Sequence, residues 1–202
     1  RGWKSAAGTE RGKTMKKIYI VTTFTGTLLS CLIRNISKTP YAHVSIALNE
    51  YLRPMYSFGR LNPKTPIFAG FVEENINEGL YAIRTNTMCR VYSLMVTERQ
   101  YEKLKENIDN VSINRKQYVY DVKALVYLSV NKPRKKDYKY VCSHFVADML
   151  KRSEINILDK EPHQVRPNDF YDLCDLELEY EGLLSNYYEK DKVHNIGDVV
   201  KI

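Results

Sequence analysis

Short β-branched and aromatic runs crowd the first half of the chain, and apolar stripes at helical spacing flank them. That order is what most limits the fold. "KKIYIVTTFT" reads as a strand over residues 16–25, and "AHVSIALNE" as a second. Alternation in the second run sets His43, Ser45, Ala47 and Asn49 on one face and Val44, Ile46 and Leu48 on the other. "YLRP" predicts a turn and "MYSFGR" an antiparallel return. "RLNPKTPIFAGF" contains two prolines and a glycine and is expected to be a loop, while "GLYAIRT" and "MCRVYSLMV" are expected to be two further strands. Strands so close together in sequence pair antiparallel, which predicts an α+β domain with helices packed on an antiparallel sheet.

The helices are marked by their caps and stripes. "TLLSCLIRNI" repeats Leu28, Leu29, Leu32, Ile33 and Ile36 at helical spacing and carries Cys31 as a packing residue. "TERQYEKLKENID" opens on a capping box, Thr97 with Gln100, and aligns Tyr101, Leu104 and Ile108. "YVYDVKALVYLSV" fits strand or helix equally. "RPNDFYDLC" is expected to be a short capped helix and "LELEYEGLL" a terminal strand. The leading "RGWKSAAGTERGKT" has no apolar core of a signal sequence. It is expected to be a polar extension over residues 1–14, disordered or appended, ahead of a single domain over residues 15–202.

Bulk properties remove several function classes. No run approaches the roughly 18 apolar residues of a membrane span, so no transmembrane segment is expected, and without a legible signal peptide the expectation is a cytoplasmic protein. The net charge of +7 allows peripheral contact with anionic surfaces. Its lysines are scattered, however, and the densest cluster, "KPRKKDYK", is short, so no specific nucleic-acid partner is expected. The four cysteines, Cys31, Cys89, Cys142 and Cys174, contain no CxxC pair. The four histidines, His43, His144, His163 and His194, contain no HxxxH pair. A metal site therefore has little support and no cofactor is expected.

One cysteine stands in a chemically useful place. In "KDYKYVCSHFVADML", Phe145, Val146, Met149 and Leu150 follow Cys142 at i+3, i+4, i+7 and i+8, which puts the thiol in the first turn of an amphipathic helix. A helix N-terminus favours the thiolate, and its free N–H groups can receive an oxyanion. A cysteine nucleophile then needs a base and a group that orients the base. His43, on a small polar strand face, is the candidate base. Packing alone is the competing account of both residues.

The order "YAHVSIAL", "MYSFGR", "GFVEEN", "YVCSHFVADML" and "RPNDF" resembles the circularly permuted branch of the NlpC-type papain-like superfamily. That branch includes the YiiX-like and YebB-like bacterial proteins and has lecithin:retinol acyltransferase as a relative. The resemblance covers about residues 16–175 and rests on several short motifs in order. It implies a permuted papain-like fold with Cys142 as nucleophile and His43 as base. It also implies a polar third residue on the next strand, a position where the family has His, Glu, Asn or Gln. Ser57 stands where that residue is expected and departs from the pattern, and Glu74 is the alternative orienter. Tyr41 and Tyr140 flank the two motif residues as candidates to line a substrate pocket. The implied function is that of a cysteine hydrolase or acyltransferase, acting without a cofactor on an amide, ester or thioester of a peptide or lipid. The alternative is a non-catalytic peptide- or lipid-binding module of the same fold. The oligomeric state is not legible.

Overall fold

The computed structural model describes residues 14–26, 40–62, 65–121, 123–124, 136–171 and 173–189. Cys31 with its expected helix, His194, the N-terminal extension through residue 13 and most of the ambiguous "YVYDVKALVYLSV" segment lie outside those residues. The described chain is α+β, as expected. Strands β1 (Met15–Phe24), β2 (His43–Ala47), β3 (Met55–Asn62), β4 (Thr65–Glu74), β5 (Met88–Thr97) and β8 (Glu177–Leu183) form a six-stranded sheet in the order β4-β3-β2-β1-β5-β8. Every pairing in it is antiparallel. The helices are α1 (Gly79–Ile83), α2 (Glu98–Ile113) and α3 (Cys142–Arg152), and β6 (Val119–Tyr120) pairs in parallel with β7 (Lys139–Tyr140). Among the described residues no helix is long and apolar enough to cross a membrane.

The sheet is covered on both faces, which explains why its strands lack a clean polar alternation. Strand β1 is buried without a break from Ile18 to Thr23. On one face Ile18, Ile20, Val44, Ile46 and Leu94 meet Leu104 and Ile108 of α2 and Phe145 and Met149 of α3. On the other, Val21, Ala47, Met55 and Val91 meet Tyr81 of α1 and Leu184 and Tyr187 of the 3-10 turn that ends the described chain. The Thr97–Gln100 capping box forms as expected: Gln100 N–H donates to Thr97 Oγ1 at 3.3 Å and Thr97 N–H to Gln100 Oε1 at 3.0 Å.

Three local expectations are corrected. The proline-containing stretch is not a loop, because from Thr65 it forms β4, paired with β3 from Met55↔Glu74 to Asn62↔Thr65. A strand at the edge of a sheet bonds on one side only, so Pro66, its second residue, breaks no ladder that an inner strand would need. "GLYAIRT" is not a strand but the single-turn helix α1, entered through Gly79 at φ +56° and holding one buried residue, Tyr81. Local propensity there is overruled by what Tyr81 bonds to across the sheet. "RPNDFYDLC" forms only one 3-10 turn, Pro167–Phe170, in which Asp169 accepts from the Arg166 N–H at 2.9 Å.

Candidate functional site

Helix α3 begins at Cys142, with Val141 as its N-cap and no side-chain cap. The N–H groups of its first turn therefore receive no acceptor from a cap side chain. Cys142 is 3% exposed, and Phe145, Val146, Met149 and Leu150 are buried behind it, as the stripe requires. Ser143 ties the same turn down by donating to the Val165 carbonyl at 2.6 Å.

His43 is the first residue of β2 and pairs with Thr23 of β1. Its Nε2 lies 3.0 Å from Glu74 Oε1 and 3.2 Å from Oε2. The Cys142 side chain lies within electrostatic and hydrogen-bonding reach of the same ring. With Nε2 held by Glu74, Nδ1 is the ring nitrogen left for the thiol. The structure thus brings Cys142, His43 and Glu74 into one chain of contacts, although they are 31 and 68 residues apart in sequence. Glu74 is itself fixed: Ser45 Oγ donates to its Oε2 at 2.6 Å and the Tyr81 hydroxyl donates to the same oxygen at 3.4 Å. Thr23 Oγ1 lies 3.3 Å from the Tyr81 hydroxyl and extends the network to β1. Strand β3 approaches with a glycine where a side chain would press on the ring. A Cβ on Gly59 would stand 3.5 Å from both His43 Cε1 and Glu74 Oε1.

Electrostatics follow from burial and pairing. Burial works against a charged His43, but the Glu74 carboxylate and the hydrogen bonds to Cys142 and Glu74 outweigh it, and the imidazole pKa rises well above 6.5. Burial likewise pushes Glu74 up, yet the His43 charge and donors from His43, Ser45 and Tyr81 hold its carboxyl below the usual range. The Tyr81 hydroxyl is pushed well up, first by burial and then by the Glu74 charge, and so remains a donor. These directions set a window of stability. Glu74, with a depressed folded pKa, contributes fully above its unfolded value of 4.5 and loses this as pH falls through the folded pKa. His43, with a raised folded pKa, contributes fully below its unfolded 6.5 and loses this as pH rises through the folded pKa. Thermal melts are expected to show a contribution from the pair that peaks between these two pH values and fades on either side. In a His43→Gln variant the decline above 6.5 should flatten, and an unchanged profile would contradict the pairing.

Ser57 is not the residue on His43. Its hydroxyl is fully buried and donates to the Val44 carbonyl at 2.7 Å. Strands β2 and β3 pair only at Ile46↔Tyr56 and Ala47↔Met55, and beyond them the Ser57 hydroxyl takes an acceptor that the ladder leaves free. Glu74, the alternative orienter, is the group that meets the imidazole. The hydroxyls of Tyr41 and Tyr140 are engaged elsewhere. Tyr41 donates to Glu181 at 3.0 Å, and Tyr140 bonds Asp148 at 2.5 Å and receives Arg152 at 3.1 Å. Both rings are buried. His144 lies against the Tyr140 ring with centroids 4.5 Å apart. Sequence reasoning missed Tyr81 and Thr23 as part of the network. Ser45 had a usable signal, since strand alternation sets it on the His43 face.

Among the described residues no group of three His, Cys, Asp or Glu side chains could hold a metal ion. The chain matches no protein-family model, and no curated protein matches its sequence.

Proposed function

We propose that the chain is a cysteine hydrolase or acyltransferase of the permuted papain-like type, acting on an amide, ester or thioester. One observation carries the reading: His43 stands within reach of the Cys142 thiol and is bonded to a buried, three-donor carboxylate. That is the nucleophile, base and orienter arrangement that acyl transfer needs. Cys142 passes its proton to His43, and Sγ attacks the substrate carbonyl. The C–S bond forms as the carbonyl electron pair moves onto oxygen, where the N–H groups opening α3 receive it. Collapse expels the leaving group, which takes the proton from the imidazolium. Water or another acceptor, deprotonated by His43, then attacks the acyl-enzyme and returns the thiol. Glu74 holds the ring by Nε2 and offsets the imidazolium charge. A non-catalytic binding module would be favoured by an uncharged group beside His43, and the carboxylate of Glu74 at that place supports the catalytic reading instead.

The test is site-resolved reaction with iodoacetamide followed by mass spectrometry. Cys89 is fully buried, and burial together with the Glu181 charge pushes its thiol up to about 12, so it should hardly react. Cys174 is exposed and serves as the reference thiol. Cys142, although buried, is expected to react at neutral pH about tenfold faster than Cys174 or more, and His43→Ala to slow it by about 10²-fold. A Cys142 rate no greater than that of Cys174 in the folded protein would overturn the reading.

A further inference from the structure

Glu74 is held by more than the imidazole. Ser45 Oγ lies 2.6 Å from Glu74 Oε2 and 3.3 Å from His43 Nε2, so a single hydroxyl touches both members of the pair. The Tyr81 hydroxyl lies 3.4 Å from the same Oε2, and Thr23 Oγ1 stands 3.3 Å from that hydroxyl. We propose that Ser45 and Tyr81 are positioning residues, which keep Glu74 ionised and turned to His43 so that Nε2 holds its proton and Nδ1 is the basic nitrogen. This rests on the acyl-transfer reading and names residues that act through Glu74, not on the substrate.

The direction of each proton follows from counting donors. An ionised carboxylate only accepts, so Ser45 and Tyr81 each direct their one hydroxyl proton to Oε2. Ser45 then has only lone pairs to offer His43. The atoms around Nε2 are Glu74 Oε1 at 3.0 Å, Glu74 Oε2 at 3.2 Å and Ser45 Oγ at 3.3 Å, and all of them are acceptors. Nε2 therefore carries the hydrogen, and in the neutral ring the lone pair is on Nδ1. Tyr81, with its proton on Glu74, accepts at its own oxygen, which makes Thr23 the donor there. Thr23 stands opposite His43 in the β1–β2 ladder, so the strand pairing that places the base also fixes the end of this relay. Burial gives the hydroxyls their weight. Ser45 and Thr23 are fully buried and Tyr81 is 5% exposed, so water is poorly placed to replace a lost donor. Burial alone would push the Glu74 carboxyl up, and Ser45 and Tyr81 add to His43 in holding it down. Among the described residues, the titratable groups acting on Glu74 are His43 of β2 and Tyr81 of α1, with Cys142 of α3 beyond His43 and Cys89 of β5 beyond Tyr81. Removing a hydroxyl withdraws stabilisation from the ionised form, so Glu74 should take up its proton at higher pH.

The experiment has two readouts on the full chain. NMR follows the Glu74 carboxyl carbon and the His43 ring nitrogens through a pH titration in a Cys142→Ala background. With the thiol present, the pH profile of Cys142 alkylation by iodoacetamide is measured. Both are taken for the wild type, Ser45→Ala, Ser45→Thr, Tyr81→Phe and the Ser45→Ala/Tyr81→Phe double variant. Ser45→Ala is expected to raise the Glu74 titration by about one pH unit and to move the acid limb of the alkylation profile up with it. Tyr81→Phe, which removes the longer bond, should shift both by less, and the double variant by more than either. Ser45→Thr keeps the hydroxyl and should restore most of the wild-type titration. Tyr81→Phe keeps the ring and its packing, so it carries the test if Ser45→Ala does not fold. A hydroxyl that merely fills a buried hydrogen bond would lower the melting temperature without moving either titration. If both stay at their wild-type positions in the variants while Cys142 still outpaces Cys174, the positioning role is refuted and the acyl-transfer reading stands. A neutral His43 ring protonated at Nδ1 in the wild-type background would refute the donor count. If Cys142 of the wild type reacts no faster than Cys174, that reading fails and the inference fails with it.

Discussion

Glu74→Gln is expected to lower turnover of an activated ester such as 4-nitrophenyl acetate by about 10²- to 10⁴-fold. The amide has nearly the same shape as the carboxylate, so the loss isolates charge and acceptor capacity. Oε1 and Oε2 together accept from His43, Ser45 and Tyr81. A glutamine offers one acceptor oxygen and turns an NH₂ group toward donors. At least one donor in a buried network is then left without a partner, a penalty of about 1–3 kcal/mol that should also lower the melting temperature. His43 meanwhile loses the charge that outweighs its burial, so its titration should move to lower pH. NMR of the imidazole in a Cys142→Ala background would read this directly. Ser57→Ala is the control, because its hydroxyl serves the Val44 carbonyl and not His43. It should leave turnover within about twofold and cost about 1 kcal/mol of stability. If Ser57→Ala inactivates and Glu74→Gln does not, the orienter has been assigned to the wrong residue.

How far such a site can be read from sequence depends on which contacts are local. The Cys142 stripe, the Thr97–Gln100 cap and the β-branched run of β1 are encoded within a few residues, and all three appear where their patterns place them. The third residue is different, because choosing it requires the strand register. Expecting β3 to set Ser57 beside His43 assumes a pairing that the fold does not use. The observed register, Ile46↔Tyr56, carried back along β2 sets Gly59 opposite His43. That shift of two residues keeps the same face while replacing a hydroxyl by a hydrogen. Glu74 stands three residues past the stretch whose prolines predict a loop, which hides its place on a strand. Its position at the end of an edge strand depends on the whole β2-β3-β4 arrangement.

Two of the misread elements, β4 and α1, share one cause. Prolines report on local backbone freedom, and at an edge strand that report is compatible with pairing on the inner side. Five residues of α1 contain too little periodicity to distinguish helix from strand, and Tyr81 is fixed by bonds to Glu74 on the edge strand and to Thr23, which is 58 residues away. Both errors fell beside the site. Its carboxylate and its tyrosine come from the two segments whose structure is decided by tertiary contact.

Phe145→Ala is expected to be the most destabilising single change in the helix that holds the thiol. Phe145 is fully buried one turn after Cys142, and its ring lies 5.3 Å from Phe58, 5.7 Å from Phe71 and 6.1 Å from Tyr140. Truncation of a buried phenylalanine costs about 3–5 kcal/mol, against a typical total stability of about 5–15 kcal/mol. For a domain of this size that corresponds to a fall of roughly 8–15 °C in Tm. Phe58 and Phe71 sit on β3 and β4, which also carry Gly59 and Glu74, so the cavity opens between the helix that positions the nucleophile and the strands that pack on its base and supply its orienter. Phe145→Leu fills most of that space and should lose about half as much stability. At a temperature where both variants remain folded, the Phe145→Leu protein should keep its Cys142 alkylation rate within a few-fold, while Phe145→Ala should lose rate ahead of its global melt. A Phe145→Ala protein that melts within about 2 °C of wild type would mean that α3 is not held on the sheet by this aromatic cluster.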